Sequence, residues 1–217
     1  MVVEWTLVND LLVWIDCEMT GLSLATDALI EVAVLVTNAN LNVLGNGVDV
    51  VIKPPQAALD QMDEFVREMH TTSGLLPLLD DGMPMADAEA RVLEYVREYV
   101  PEAGKAPLAG NSVGTDRMFL ARDMPTLESH LHYRNVDVSS LKELAHRWFP
   151  RVYYNSPEKT GNHRALSDIA ESIEELRYYR EALFVAPPGP RSDTVKEIAA
   201  RHQGSLTSRF AAGDESR

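Results

Sequence analysis

Cysteine is nearly absent from this sequence. Cys17 stands alone among 217 residues, which excludes an intrachain disulfide and a zinc site built from several cysteines. Long hydrophobic runs are also missing, since none reaches the roughly 18 apolar residues that a membrane-spanning helix needs. The N-terminus has no basic region followed by an apolar stretch. We therefore predict a soluble, cytoplasmic protein without a membrane partner.

Positive charge is scarce as well. The chain has 20 Lys and Arg against 33 Asp and Glu, which gives a formal net charge of −13. Proteins that track long nucleic acids present a basic stripe that releases counterions, and no run of Lys or Arg occurs here. Any nucleic-acid substrate is therefore predicted to be short and held by a few contacts and metal ions. An acidic protein that never meets nucleic acid is the alternative interpretation.

Hydrophobic periodicity predicts strands first and then strands alternating with helices. Segments typical of strands are residues 11–16, 28–38, 43–53, 107–111 and 133–138. Segments with helical spacing are residues 59–70, 85–100, a stretch from Asp116, 139–148 and 164–183. Ser139-Ser140-x-x-Glu143 resembles a capping box for the fourth of these helices. The order predicts an α/β protein with a mixed five-stranded sheet flanked by helices.

Composition divides the chain near residue 184. Residues 1–184 are predicted to form one domain, since this length can bury a full core. Residues 185–190 are rich in Pro and Gly and are typical of a linker. The remainder to residue 217 is predicted to be a flexible tail with a weak helical segment at residues 195–202.

Two carboxylates, Asp16 and Glu18, stand one residue apart at the end of the first predicted strand. Because side chains alternate along a strand, both should lie on one face while Cys17 points away. Like charges so close are costly unless a cation neutralises them, and oxygen ligands suit Mg²⁺ or Mn²⁺. For this pair alone, a strand that ends in solvated acids is the simpler interpretation.

Two further segments add acids and a histidine to this pair. Asp116 opens a helix just after the fourth predicted strand, and such junctions are where α/β sheets bind ligands. His163 precedes the last helix of the domain, and Asp168 lies about one turn inside it. Taken singly, each has an ordinary explanation as a helix cap, a solvated acid or a surface histidine.

Together these motifs resemble the oligoribonuclease family, in the DEDDh branch of the DnaQ-like 3′→5′ exonucleases. The likeness covers roughly residues 7–183. It is carried by the segments 14–22, 71–75, 110–120, 133–137 and 163–168. The resemblance implies a ribonuclease H-like fold for residues 1–184, which would be the exonuclease domain, and leaves the tail outside it.

The resemblance implies hydrolysis of short 5′-phosphorylated RNA, chiefly dinucleotides, to nucleoside 5′-monophosphates with two divalent ions, Mg²⁺ or Mn²⁺. In that scheme Asp16 bridges the two ions, and Glu18 and Asp168 complete the site of the ion that activates the nucleophile. Asp116 acts on the other ion, partly through water. His163 is the general base, because an imidazole can accept a proton at neutral pH.

The resemblance also assigns residues to the substrate. Ser112, Arg134 and Ser139 match a cap over the 5′-phosphate, to which a guanidinium can donate forked hydrogen bonds. Leu22 matches an apolar wedge beside the bases. Phe65 stands where most relatives carry tryptophan and keeps a stacking face of smaller area; an ordinary core aromatic is the alternative for this position.

Tyr133 and His70 match residues that the family contributes across a homodimer interface, so the resemblance makes a second copy of the chain part of the site. Two other functions remain open from the sequence. One is a proofreading-type DNA exonuclease on the same fold, which would need an exposed groove for a longer strand. The other is a binding protein that has kept the fold after losing its chemistry.

Overall fold

The computed structural model describes residues 10–159, 164–204, 206–207 and 210. Contacts divide the chain into two units, Met1–Arg180 and Glu181–Arg217. In the second unit a helix covers Ser192–His202, which overlaps the weak helical segment expected there. The domain boundary at residue 184 stays a prediction.

A mixed five-stranded sheet lies at the centre of the first unit. Its strands are β1 (Leu12–Met19), β2 (Leu29–Thr37), β3 (Val43–Val51), β4 (Pro107–Gly110) and β5 (His132–Asp137). The spatial order is β3-β2-β1-β4-β5. β1 pairs antiparallel with β2 and parallel with β4. The sheet confirms the predicted fold class and places β1, with its two acids, in the middle.

Helices flank the sheet. In the described part of the chain these helices are α1 (Gln56–Asp60), α2 (Glu64–Thr72), α3 (Met85–Tyr99), α4 (Gly114–Asp123), α5 (Pro125–His130), α6 (Val138–Trp148), α7 (Pro150–Tyr153) and α8 (Ala165–Leu183). The helix Ser192–His202 of the second unit is numbered α9. A 3-10 helix covers Leu76–Asp81. None of the helices in these described ranges is long and apolar enough to cross a membrane.

The prediction of a single helix over residues 59–70 is wrong. α1 ends at Asp60, and α2 starts at Glu64 because the side chain of Asp63 accepts a hydrogen bond from the Val66 amide at 2.9 Å. An aspartate in this position caps a new helix N-terminus. Hydrophobic spacing continues across the break, so periodicity alone does not show it.

The predicted capping box of α6 is also wrong. The helix begins at Val138, and its cap is Asp137, whose side chain accepts a hydrogen bond from the Ser139 amide at 2.9 Å. The hydroxyl of Ser139 is therefore not used to cap the helix. It is available for the contacts described below.

The core supports β1 from the face of the sheet opposite Asp16 and Glu18. Every residue of β2 is buried, as expected for a strand covered on both faces. α3 packs against β2 and β3. Val13 and Ile15 of β1 belong to the same buried cluster as Val92 of α3. This packing gives the acids of β1 a rigid base.

Candidate active site

The structure brings three of the predicted acids together. Asp16 and Glu18 lie on β1, and Asp168 lies in the first turn of α8. Each offers a carboxylate oxygen such that the three oxygens lie within 4.8 Å of one another. A group of oxygens this close can chelate a hard divalent cation.

Asp116, the fourth predicted acid, lies against the backbone of β1. It is buried in the first turn of α4, and its Oδ1 accepts a hydrogen bond from the Cys17 amide at 3.0 Å. Its carboxylate therefore sits beside the segment that carries Asp16 and Glu18. The Cys17 side chain is buried, as strand alternation predicts.

Asp16, Glu18 and Asp116 have unusually high pKa values. Burial is the main cause, followed by repulsion from neighbouring carboxylates, and together they raise the pKa of Asp16 from 3.8 to about 9. The same two causes raise the pKa of Glu18 from 4.5 to about 8. Burial raises the pKa of Asp116 to about 6, although the Cys17 amide opposes this shift. Such a concentration of negative charge fits a divalent cation, which would relieve the repulsion.

A tight loop after β1 presents Leu22, which is 75% exposed. The Thr20 hydroxyl accepts a hydrogen bond from the Ala28 amide at 2.9 Å and donates to the Asp27 carboxylate at 3.1 Å. That carboxylate packs so closely on Gly21 that a Cβ there would lie 2.5 Å from an Asp27 oxygen. The Thr-Gly pair is therefore required by the loop that exposes Leu22.

Two predicted substrate residues on α2 have opposite surroundings. Phe65 is 77% exposed, which excludes the core interpretation and leaves its ring face accessible. His70 is fully buried, and its Nε2 donates to the Met19 carbonyl oxygen at 2.9 Å. Its contribution across a dimer interface stays a prediction.

Ser112 and Ser139 lie side by side, as a shared phosphate cap requires. Their hydroxyl oxygens are 3.0 Å apart, and Asp137 Oδ1 accepts hydrogen bonds from both backbone amides, at 3.0 and 2.9 Å. The Ser139 hydroxyl donates to Asn111 Oδ1 at 3.0 Å. Since a hydroxyl has one proton, the Ser112 hydroxyl is the donor between the two serines.

Arg134 and Tyr133 stand on β5, a few residues before Ser139. Both side chains are exposed, Tyr133 by 73%. The guanidinium carbon of Arg134 lies 5.3 Å from the centre of the Tyr133 ring, within the range of a cation–π contact. Both are placed to meet a ligand from outside the chain. His163, the predicted base, lies outside the described residues.

Comparison with known proteins agrees with the geometry. A family model described as an exonuclease matches residues 13–176. A curated oligoribonuclease from Streptomyces coelicolor is 72% identical over 194 residues, which cover 89% of this chain and 97% of that protein. An oligoribonuclease from Cutibacterium acnes is 68% identical over 197 residues, covering 91% and 98%.

The chain belongs to the oligoribonuclease family of exonucleases. Among solved structures, the oligoribonuclease-like chain matches the zinc-bound complex of Escherichia coli exonuclease I with single-stranded DNA, with TM-score 0.63 and 16% identity over 81% of this chain. Exonuclease I from Methylocaldum szegediense matches with TM-score 0.55 and 20% identity over 80% of it. The chain spans about two-fifths of these larger proteins, 41% of each. The likeness shows a common fold.

Sequence reasoning missed several residues around the oligoribonuclease site. Asn111 donates to Ser172 Oγ at 2.8 Å and to Glu175 at 3.2 Å, which ties the serine pair to α8. Asp137 positions both serine amides. Glu31 was also missed, although a single charge inside an apolar strand is a signal for a buried partner.

The metal-free chain is expected to lose stability as the pH rises from about 4 to about 9. The raised pKa values of Asp16 and Glu18 make the folded state bind more protons than the unfolded state in this window. The free energy of unfolding therefore falls as the pH rises from the pKa values of these two groups in the unfolded chain to their pKa values in the folded chain. The measurement is the melting temperature in EDTA at pH 5, 7 and 9.

Other groups titrate in the same window, so Asp16→Asn is the control. This variant lacks the Asp16 carboxyl group, whose pKa is raised to about 9 in the folded chain. Its melting temperature should exceed that of the parent by a margin that grows as the pH rises. A margin that shrinks or stays constant between pH 5 and pH 9 would contradict the assignment.

Proposed function

We propose that this protein is a metal-dependent 3′→5′ exoribonuclease of the cytoplasm. It would hydrolyse short 5′-phosphorylated RNA, chiefly dinucleotides, to nucleoside 5′-monophosphates, the final step of RNA decay. The observation that carries this proposal is the group of carboxylate oxygens from Asp16, Glu18 and Asp168 within 4.8 Å of one another. Membership of the exonuclease family, with relatives named oligoribonuclease, supports the reaction class.

Two divalent ions, Mg²⁺ or Mn²⁺, are proposed as cofactors. Asp16 would contact both ions, Glu18 and Asp168 the ion beside the attacking water, and Asp116 the other. When bound, they would make that water more acidic and neutralise charge that develops on the phosphate. The high pKa values of Asp16 and Glu18 support this, since both carboxylates must be ionised to react with a cation and gain most from one.

His163 is proposed to accept the proton of the attacking water. An imidazole with a pKa of about 6.5 is half ionised close to neutral pH and can take and release a proton in each cycle. Its place in the chain, one residue before Arg164 and five before Asp168, puts it next to the start of α8 in sequence.

Recognition of the 5′-phosphate is proposed to limit the substrate length. Ser112, Ser139 and Arg134 would contact that phosphate. The adjacent serines support this, because the Ser112 hydroxyl can turn its proton from the Ser139 oxygen, 3.0 Å away, to a phosphate oxygen. Leu22 and Phe65 would contact the bases, which their high exposure permits. If the two serines and Arg134 close the pocket around the 5′-phosphate, only a few nucleotides fit between that phosphate and the acids.

The proposed enzyme is a homodimer in which Tyr133 and His70 reach the substrate of the other subunit. The exposed ring of Tyr133 supports this role. His70 would have to exchange its contact with the Met19 carbonyl oxygen for one with the partner's substrate.

A 5′-phosphorylated dinucleotide is expected to be cleaved faster than a ten-nucleotide RNA of the same composition. The reason is that the longer strand cannot place one end in the phosphate cap and the other at the acids. The measurement is the rate of mononucleotide release from both substrates at equal concentration and saturating Mn²⁺.

The matched control is the dinucleotide without its 5′-phosphate, which should lose most of the advantage. Ten-nucleotide single-stranded DNA is the second comparison. If either ten-nucleotide strand is cleaved faster than the dinucleotide, the DNA exonuclease or a general exonuclease is the better description. If no mononucleotide appears with any substrate, the chain is a binding protein.

A further inference from the structure

A fifth carboxylate lies beside the site without belonging to the predicted set. Glu31, the third residue of β2, is fully buried. In the antiparallel pairing it stands directly opposite Glu18 of β1, so the two side chains project from the same face of the sheet. The register shifts immediately after this pair, as strands often do next to functional sites.

Both oxygens of Glu31 are occupied by the start of α8. Oε1 accepts a hydrogen bond from Arg164 Nε at 2.9 Å and lies 2.8 Å from Nη2 of the same guanidinium. Oε2 accepts a hydrogen bond from the Ala165 amide, the first residue of the helix, at 3.0 Å. A single buried carboxylate thus binds both the side chain before the helix and the helix N-terminus, where a negative charge is favourable.

This contact is one helical turn from a proposed metal ligand. The Asp168 amide donates to the Arg164 carbonyl oxygen at 3.1 Å, so the residue held by Glu31 begins the turn that carries Asp168. The carboxylate of Asp168 in turn meets Asp16 and Glu18. Hydrogen bonds therefore connect Glu31 of β2 to the turn of α8 that places the Asp168 carboxylate beside Asp16 and Glu18.

Glu31 also keeps the guanidinium group of Arg164 in place, away from Glu18. Arg164 is the cation whose charge acts on Glu18, and its other partner is Asp49 of β3 at 3.4 Å. Without Glu31, the guanidinium would be free to pair with Glu18 and to compete there with a divalent ion.

We propose that Glu31 and Arg164 are positioning residues of the metal centre, in which Glu31 anchors the start of α8 and so Asp168, and keeps Arg164 off Glu18. This inference rests on the proposed function. Residues that orient metal ligands commonly change metal affinity by about 10- to 100-fold when they are replaced.

The test is Mn²⁺ binding to the full chain, measured by electron paramagnetic resonance of the free ion. Glu31→Gln is expected to weaken binding by about 10-fold or more. Its kcat on a dinucleotide should fall at limiting Mn²⁺ and recover at high Mn²⁺, while KM for the dinucleotide stays unchanged. Asp49→Asn, which replaces the second partner of Arg164, a carboxylate that is 28% exposed, is the control and should bind Mn²⁺ like the parent.

Thermal unfolding in EDTA checks that each variant folds. If Glu31→Gln does not fold, Glu31→Asp tests the same anchor, because the shorter side chain keeps the charge but withdraws it from Arg164 and the Ala165 amide. A folded variant of either kind that binds Mn²⁺ as tightly as the parent overturns the proposal. If both variants unfold, the pair holds the fold and not the centre, and the proposal is overturned as well.

Asp16→Asn separates this inference from the proposed function. If Asp16→Asn retains Mn²⁺ binding, the proposed metal centre itself is wrong. If Asp16→Asn loses Mn²⁺ while Glu31→Gln keeps it, the metal centre stands and only the positioning role fails.

Discussion

Replacing Asp168 with alanine is expected to abolish measurable turnover in a chain that still folds. The change removes one of the three carboxylates that meet within 4.8 Å, and the remaining two acids hold a divalent ion poorly. Metal ions supply several kcal/mol of transition-state stabilisation in phosphoryl hydrolysis, and about 1.4 kcal/mol corresponds to a tenfold rate. The expected loss is therefore about a thousandfold or more in mononucleotide release at saturating Mn²⁺.

Glu174→Ala is the matched control for this variant. Glu174 lies on the same helix as Asp168 but faces solvent, so its removal should leave the rate close to that of the parent. The melting temperature of Asp168→Ala in EDTA should not fall, because the change takes one negative charge away from Asp16 and Glu18. A rate near that of the parent would remove Asp168 from the mechanism.

His163→Ala is expected to lower kcat by about 100- to 10,000-fold, the usual contribution of a general base. Mn²⁺ binding should be retained, since the four acids are intact. In the parent, the rate should rise with pH as the imidazole loses its proton. That limb of the pH profile should disappear in the variant, and added imidazole should restore part of the rate.

His146→Ala is the control for the histidine variant. His146 is an exposed residue of α6, and its replacement should change neither the rate nor the pH profile. If the rate of His163→Ala still rises with pH as it does in the parent, another group accepts the proton.

The architecture and the acids of β1 could be predicted because they depend on local pattern. Alternation along an apolar run sets the face of Asp16 and Glu18, and the junction after β4 places Asp116 near them. Whether Asp168 lies beside these acids depends on how α8 packs against the sheet. The position of Asp168 was predicted from family resemblance and not from periodicity.

The rest could not be predicted because it depends on contacts between distant segments. Glu31 and Arg164 are 133 positions apart, and no local pattern pairs them. The surroundings of Phe65 and His70 differ although both lie on α2, since the partners of each come from elsewhere in the fold. The start of α2 was missed because Asp63 interrupts a run whose hydrophobic spacing continues.

The order in which the acids occur along the chain has a consequence for incomplete products of translation. Asp16 belongs to the first strand, whereas Asp168 belongs to the last helix of the first unit. A polypeptide that stops before Arg164 carries Asp16, Glu18 and Asp116 but has no Asp168 and no arginine to pair with Glu31. With the role proposed for Asp168, such prematurely terminated chains would be inert, and nuclease activity would be restricted to copies that contain the start of α8.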